Sequence, residues 1–369
     1  MEKYIFLDAR FYNRSGIGRY IAGVYQEIIE NIPSLRVMAA GDKNILKESF
    51  LKGQQIIPFY SPIYSLKEQV EGSFLIERFR KTVHVFHFPH YNVPWVLPPN
   101  SVVTIHDLTQ FLFPDFFGKI KRIAAAFVLR NAMKRAGRIV VGSNSTATDL
   151  AKRYPEFKDK VRVVQYGISK CFSPLPEEEV LAFKRSHGIE NYILYVGNRK
   201  PHKNIGRLLE AFSIIKRDHK TLQLILIGEK FPERDPVNEW REKSGFKGNG
   251  IQEVTEVSDE TLQQYYCSAK LLVNPSLNEG FGFPPLEAMA CGVPVVVSKI
   301  SSLPEVCGDA ALYVNPYNIS DMVMKIQMAL EDEGLRSELI QKGLKQACSF
   351  SWKRCAEETV KVFEEVMGE

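Results

Sequence analysis

Long apolar runs, paired cysteines and low-complexity tracts are missing from this 369-residue chain, and each absence removes a class of protein. The longest apolar stretches, such as Leu222 to Ile227 and Ala288 to Val297, fall short of the roughly 18 residues that a membrane-spanning helix needs. Six cysteines, at 171, 267, 291, 307, 348 and 355, include no Cys-x-x-Cys pair. That spacing argues against zinc ribbons and a disulfide framework, and leaves the cysteines as reduced packing residues. The N-terminal MEKYIFLDAR has no basic leader, carries Glu2 and Asp8, and reads as a first strand rather than a secretory signal, which implies a cytoplasmic protein. What is present is ordinary for a soluble globular chain: 45% hydrophobic, 25% charged and 11% aromatic residues, enough for a sizeable core and long enough for two domains.

Charge is divided unevenly. Residues 1–170 hold 25 Lys and Arg against 14 Asp and Glu, whereas the remainder hold 23 against 29, so a net charge of +5 conceals a basic first half and an acidic second half. Residues 116–148 contain seven cationic side chains (Lys119, Lys121, Arg122, Arg130, Lys134, Arg135, Arg138) and no acidic one, so an anionic partner is expected there.

Short Val/Ile/Leu-rich runs alternate with amphipathic stretches, the pattern of βα units and a mostly parallel sheet. Strands are predicted at 3–7, 35–40, 84–88, 101–105, 138–142 and 161–164, and again at 192–196, 222–227, 251–254, 270–274, 293–297 and 311–314. The class is α/β, with two doubly wound sheets. Gly167 to Glu179, rich in proline and charge, reads as a linker into a helix, placing one domain at 1–170 and a second at 171–351. The tail from Asp321 reads as helical, its last element carrying Trp352, Val360, Phe363 and Val366 at helical spacing.

In open α/β sheets ligands bind at the carboxyl ends of strands, so the residues just after each apolar run carry the information. Gly197 to Asn204 sets Arg199 and Lys203 beside a helix start that Asn204 is placed to cap, chemistry suited to a phosphate or diphosphate; a solvated basic loop fits the same pattern. Glu279-Gly280-Phe281-Gly282 leads through two prolines into a helix at 285–291, with Glu287 in its first turn, able to accept from two sugar or ribose hydroxyls; a purely structural helix start is the alternative. Gly16 and Gly18 follow the first strand but make a poor dinucleotide fingerprint, since the third glycine position is Ile21; what remains is a loop that lets backbone approach a ligand. His106 and Asp107 end the strand at 101–105, where a hydrogen-bonded structural histidine is the common reading. His84, His87 and His90 resemble a metal site, yet on a strand His84 and His87 point to opposite faces, so no metal site is expected.

Taken together, GIGRY near the start, His106-Asp107, GNRKPHKN and EGFGFPPLEAMACGVPVV resemble the large retaining glycosyltransferase family 4, over nearly the whole chain. The resemblance implies the GT-B fold, two Rossmann-like domains facing a central cleft, with acceptor on the first, nucleotide-sugar donor on the second and the helix at 352–369 packing back on the first. It implies that Arg199 and Lys203 grip the donor diphosphate, that Glu287 binds the ribose, and that Glu279 with Gly280, Phe281 and Gly282 surrounds the donor sugar. Gly16 and Gly18 would close over the diphosphate, and His106 would stand beside the transferred sugar. The motif forms are similar to bacterial mannosyltransferases of O-antigen and exopolysaccharide assembly, pointing to GDP-mannose, with UDP-glucose the main rival. The expected partners are a nucleotide sugar, a glycan or lipid-linked acceptor and an anionic inner membrane face, with no nucleic acid, no cofactor and no metal. An NAD-dependent oxidoreductase and a non-catalytic nucleotide-sugar or nucleic-acid binder are the other readings.

Overall fold

In the computed structural model, residues 2–12, 15–114, 118–231, 235–244 and 250–368 are described. The chain divides into two units, Met1–Gly167 with Ser351–Glu369, and Ile168–Phe350. In unit 1 the strands are β1 (Lys3–Asp8), β2 (Leu35–Gly41), β3 (Gln55–Pro58), β4 (Val85–Phe88), β5 (Ser101–Ile105), β6 (Arg138–Val141) and β7 (Val161–Val163), in the order β3-β2-β1-β4-β5-β6-β7. In unit 2 they are β8 (Tyr192–Val196), β9 (Gln223–Ile227), β10 (Ile251–Val254), β11 (Leu271–Asn274), β12 (Val295–Ser298) and β13 (Ala311–Val314), in the order β10-β9-β8-β11-β12-β13. Among the described residues all pairings are parallel. Parallel strands need crossover helices on both faces, which is why central strands such as Ser101–Ile105 and Leu271–Asn274 are buried at every position and read as unbroken apolar runs.

β3 is the strand that the sequence pattern did not reveal. Gln-Ile-Ile-Pro offers two apolar residues and a terminal proline, and proline is tolerated here because β3 pairs only with β2 at the sheet edge. Strand order reverses between β1 and β4 in unit 1 and between β8 and β11 in unit 2, opening one crevice at the carboxyl ends of each sheet.

The helix Trp352–Met367 belongs to unit 1 and lies on the helix Ser15–Asn31 and on β4, β5 and β6. Ser351 caps it by accepting from the Arg354 amide. Its buried stripe is Cys355, Ala356, Thr359, Val362 and Phe363, whereas Val360 and Val366 are half-buried. The contact is close because Gly23 lacks a side chain: a Cβ there would lie 2.1 Å from the Trp352 ring. All six cysteines are free thiols, and Cys348 is exposed rather than packed.

A buried polar network runs beneath this helix. His87 on β4 is fully buried, with Nδ1 2.6 Å from the Tyr25 hydroxyl and Nε2 3.0 Å from Thr104 Oγ1. Burial, followed by the neighbouring His106, pushes His87 down to about 3; burial does the same to His90. Both folded values lie below the unfolded value near 6.5, so their contribution to stability is intact above that pH and declines as pH falls from about 6.5 toward 3. Unit 1 should therefore lose about 1 kcal/mol per histidine for each pH unit below that point. Thermal melts between pH 7.5 and 5 check this, and a melting temperature independent of pH would contradict it.

Candidate active site

Of the residues singled out in the second half, Lys203 and Glu279 meet at the β8/β11 crevice. β8 leads through Gly197 and Arg199 into a 3-10 turn at Pro201–Lys203 and the helix Ile205–Asp218, and β11 leads through Glu279 into the helix Phe283–Ala290. Adjacent strands bring the two loops together: the Leu277 amide donates to the His202 carbonyl at 2.7 Å, and Lys203 Nζ reaches both Glu279 oxygens at 2.7 and 2.8 Å. Asn204 occupies the cap position of its helix but makes no capping bond. Its Nδ2 instead donates to the carbonyls of Pro275 and Pro316, fastening the helix to the β11 loop.

Glu279 is held at several atoms. Ser276 Oγ donates to Oε1 at 2.8 Å, Asn274 Nδ2 does so at 3.3 Å, and the Glu279 amide donates to Ser301 Oγ. Burial pushes its carboxyl up, but the Lys203 charge and the hydrogen bonds from Lys203 and Ser276 outweigh this and hold it below the usual carboxylate range. It is therefore ionised at neutral pH. Ser302 Oγ donates to the carbonyls of Glu279 and Phe281, fixing the backbone of the turn. The Phe281 side chain is buried against Phe283 and Phe350, so this residue offers a site only its backbone. Gly280 is half-buried, and Gly282 stands at the cap of the following helix.

Arg199 is not the freely accessible cation that the sequence suggests. It is 1% exposed, with Nη1 2.6 Å from Glu253 Oε2 and 3.2 Å from Asp235 Oδ2. Glu253 also receives Arg241 at 2.7 Å and Lys230 at 3.5 Å. Three cations thus meet two carboxylates. Arg199 Nη2 is buried and has no hydrogen-bond partner among the described residues. A buried donor left unpaired costs about 1–3 kcal/mol, so an acceptor arriving there is favoured.

Glu287 also differs from expectation. Its helix begins at Phe283 rather than 285, so Glu287 lies in the second turn instead of the first. It is 2% exposed, and Oε2 accepts from the Tyr266 hydroxyl at 2.8 Å.

In unit 1, Gly16 and Gly18 lie in the first turn of the helix Ser15–Asn31, not in a loop. Gly18 is required by a close approach, since a Cβ would fall 1.9 Å from the Tyr12 carbonyl oxygen. His106 follows β5, half-buried, with Nε2 2.8 Å from the Pro89 carbonyl and Nδ1 2.8 Å from the Tyr166 hydroxyl. A carbonyl only accepts, so Nε2 carries the proton and Nδ1 accepts from Tyr166. Burial lowers the pKa, leaving a neutral imidazole with both nitrogens engaged, which presents a ring edge rather than a charge. Asp107 is turned to structure, its Oδ1 accepting from the Thr109 amide. His84, just before β4, is exposed and His87 is buried. Among the described residues, no group of three or more His, Cys, Asp or Glu is arranged to hold a metal ion.

Residues that complete the site escaped the sequence reading. Glu253 lies at the carboxyl-terminal end of β10, and Asp235 precedes Pro236 and accepts from the Val237 amide, a helix-start signal; both were findable by rule. Tyr266, in the run Gln263-Gln264-Tyr265-Tyr266-Cys267-Ser268, and Tyr166 carry no local signal.

Comparison with known proteins is consistent across both units. The family model described as Glycosyl transferases group 1 matches residues 178–346, and that described as Glycosyltransferase Family 4 matches residues 14–170. The chain is 31% identical over 283 residues to the O-antigen chain mannosyltransferase B of Escherichia coli, covering 76% of this chain and 74% of that protein. It is 29% identical over 281 residues to the serotype-specific mannosyltransferase WbdA of Escherichia coli, covering 74% of this chain but 34% of that protein, so it spans about a third of the length of WbdA. Its fold matches that of Anabaena HepE, solved in complex with UDP-glucose, with a TM-score of 0.79 at 16% identity, covering 99% of this chain and 100% of that one. With both halves matched and the two parallel sheets in place, the chain belongs to the family 4 glycosyltransferases and is a glycosyltransferase of the GT-B fold.

Proposed function

We propose that this enzyme transfers mannose from GDP-mannose, with retention of anomeric configuration and without a metal ion, to a glycan or lipid-linked acceptor of a surface polysaccharide, working in the cytoplasm at the inner membrane face. The observations that carry the reading are the ion pair of Lys203 with the ionised Glu279 at the β8/β11 crevice and, in the loop that follows β8, a buried Arg199 Nη2 with no hydrogen-bond partner among the described residues. A donor diphosphate would accept from both cations, and fixed cations stabilise the departing phosphate as its charge grows. Each such bond contributes roughly 1.5–3 kcal/mol. Tyr266 would hold Glu287 against the ribose hydroxyls.

Glu279 is stabilised by four hydrogen bonds from Lys203, Ser276 and Asn274, which makes it a poor nucleophile for a double displacement. The acceptor oxygen would then attack the anomeric carbon on the face that the diphosphate leaves. The C–O bond to phosphate breaks as the new C–O bond forms, and the departing phosphate oxygen takes the acceptor proton. His106, neutral and fixed by Pro89 and Tyr166, would position the sugar by its ring edge. The similarity to mannosyltransferases favours mannose; the fold match to a UDP-glucose complex is what keeps UDP-glucose as the second reading.

Turnover of GDP-mannose in EDTA, with the product's anomeric configuration read by NMR, tests the proposal. Activity that EDTA abolishes and Mg²⁺ or Mn²⁺ restores would overturn the metal-free reading; an inverted product would overturn retention; faster turnover of UDP-glucose would replace the donor.

A further inference from the structure

The loops that follow β1, β3 and β4 meet in unit 1 around a constellation that the proposed transfer step does not use. Glu68, on the helix Leu66–Phe79, is fully buried and ties the three together: it accepts from Arg10 Nη1 at 2.6 Å, from the Tyr64 amide at 2.6 Å and from Asn92 Nδ2 at 2.8 Å. Arg10 turns the rest of its fork to Asp8, with Nε 2.9 Å from Oδ1 and Nη2 2.6 Å from Oδ2, and its guanidinium lies 3.8 Å from the centroid of the Phe59 ring. One buried cation therefore faces two buried carboxylates, and the cluster keeps no positive charge for an anion.

Aromatic rings adjoin this cluster. His90, two residues beyond β4, is half-buried; its ring stacks on Phe11 and Tyr91, with centroids 4.5 and 4.3 Å away, and Tyr64 stands edge-on at 6.3 Å. His90 Nδ1 accepts from the Asn92 amide at 3.0 Å, so the neutral ring carries its proton on Nε2, which makes no hydrogen bond among the described residues. Tyr64 is 64% exposed, and its φ of 67° lies in the left-handed region, an unfavourable conformation for so bulky a residue. A glycine would hold that turn without strain; what tyrosine adds is an aromatic face in water. The Pro89 carbonyl, one residue before His90, accepts from His106 Nε2, so the loop bearing His90 is tied to the residue proposed to stand beside the transferred sugar.

We propose that Tyr64 and His90 form an acceptor subsite in unit 1 that binds a neutral pyranose, the C–H face of the sugar against the Tyr64 ring and a hydroxyl oxygen accepting from His90 Nε2–H. The two side chains set the class of ligand. A pyranose offers both an apolar C–H face and hydroxyl acceptors, as this pair requires. A lipid phosphate or a sugar phosphate gains nothing here, because Arg10 is already neutralised by Asp8 and Glu68, and burial holds His90 down to about 3, uncharged at neutral pH. The subsite deepens the proposed transfer, on which it rests for the acceptor being a glycan: recognition falls on the sugar at the acceptor's end.

Saturation-transfer NMR on the full chain, without nucleotide, tests this with the methyl α-glycosides of mannose, glucose, galactose and N-acetylglucosamine, and with mannose 6-phosphate. At least one methyl glycoside should bind, and mannose 6-phosphate should bind no better than methyl mannoside. Tyr64→Asn supplies a residue that tolerates positive φ but has no ring, and His90→Phe keeps the stacking on Phe11 and Tyr91 but has no N–H to donate. Each should weaken the bound glycoside about tenfold, while GDP raises the melting temperature as it does for the wild type. Tyr64→Phe, which keeps the ring, should bind like the wild type. Binding of none of the four glycosides, unchanged affinity in Tyr64→Asn or His90→Phe, a loss in Tyr64→Phe as large as in Tyr64→Asn, or a preference for mannose 6-phosphate overturns the inference. Because no nucleotide is present, failure here leaves GDP-mannose transfer standing, and failure of that turnover leaves the glycoside result readable.

Discussion

Arg199→Ala should destabilise unit 2 by about 3 kcal/mol, because removing one partner of a buried ion cluster leaves carboxylates without their cation. Asp235 then has no ion-pair partner among the described residues, while Glu253 keeps Arg241 and Lys230, which sets the loss at the lower end of the usual range. Urea unfolding measures it. Arg199→Lys separates folding from binding: it keeps the charge near Asp235 and Glu253 but cannot donate in the planar fork that leaves Nη2 for a ligand. That variant should fold and still bind GDP more weakly than the wild type. If Arg199→Ala unfolds at the wild-type urea concentration, the ion cluster does not exist as described.

The same residue shows what sequence reasoning reaches. Arg199 was legible as a cation at a strand end, because strand ends and loop cations are local features. Its neutralisation by Asp235 and Glu253 was not, because those carboxylates lie 36 and 54 residues further on and meet it only through the β8-β9-β10 order. Lys203 and Glu279 were both identified, yet their ion pair depends on β8 and β11 being neighbours, which strand spacing alone does not reveal. Twelve strands were visible as short apolar runs, unbroken where a central strand is buried on both faces; edge strand β3 was not, since Gln-Ile-Ile-Pro offers only two apolar residues and ends in proline. Glycines mislead in a related way. Gly16 and Gly18 suggested a ligand loop, but the nearest demand on Gly18 is the Tyr12 carbonyl, a contact between a helix and the turn before it. Membership in the glycosyltransferase family sets aside the oxidoreductase reading that two Rossmann-like sheets had left open.

Phe363→Ala carries the second large expectation. Phe363 is fully buried, its ring centroid 5.2 Å from that of His87, in the helix that closes one side of unit 1. Truncating a buried phenylalanine costs about 3–5 kcal/mol through lost transfer energy and the cavity left behind. The cavity would also open beside His87, Tyr25 and Thr104, a network that depends on being dry. Unit 1 of the variant should melt well below the wild type, whereas the stabilisation of unit 2 by GDP should be unchanged. Equal melting temperatures would show that the last helix does not close unit 1.

Lys203 and Arg199, rather than a metal ion, are proposed to hold the donor diphosphate. Calorimetric titration of GDP in EDTA into the wild type and Lys203→Gln tests it most directly, since glutamine can still donate to Glu279 but has no charge for a phosphate. The wild type should bind GDP without divalent metal, and the variant roughly 10- to 100-fold more weakly, the loss of one charge-assisted hydrogen bond. Equal affinities, or a wild type that binds neither GDP nor UDP until Mg²⁺ or Mn²⁺ is added, would contradict it.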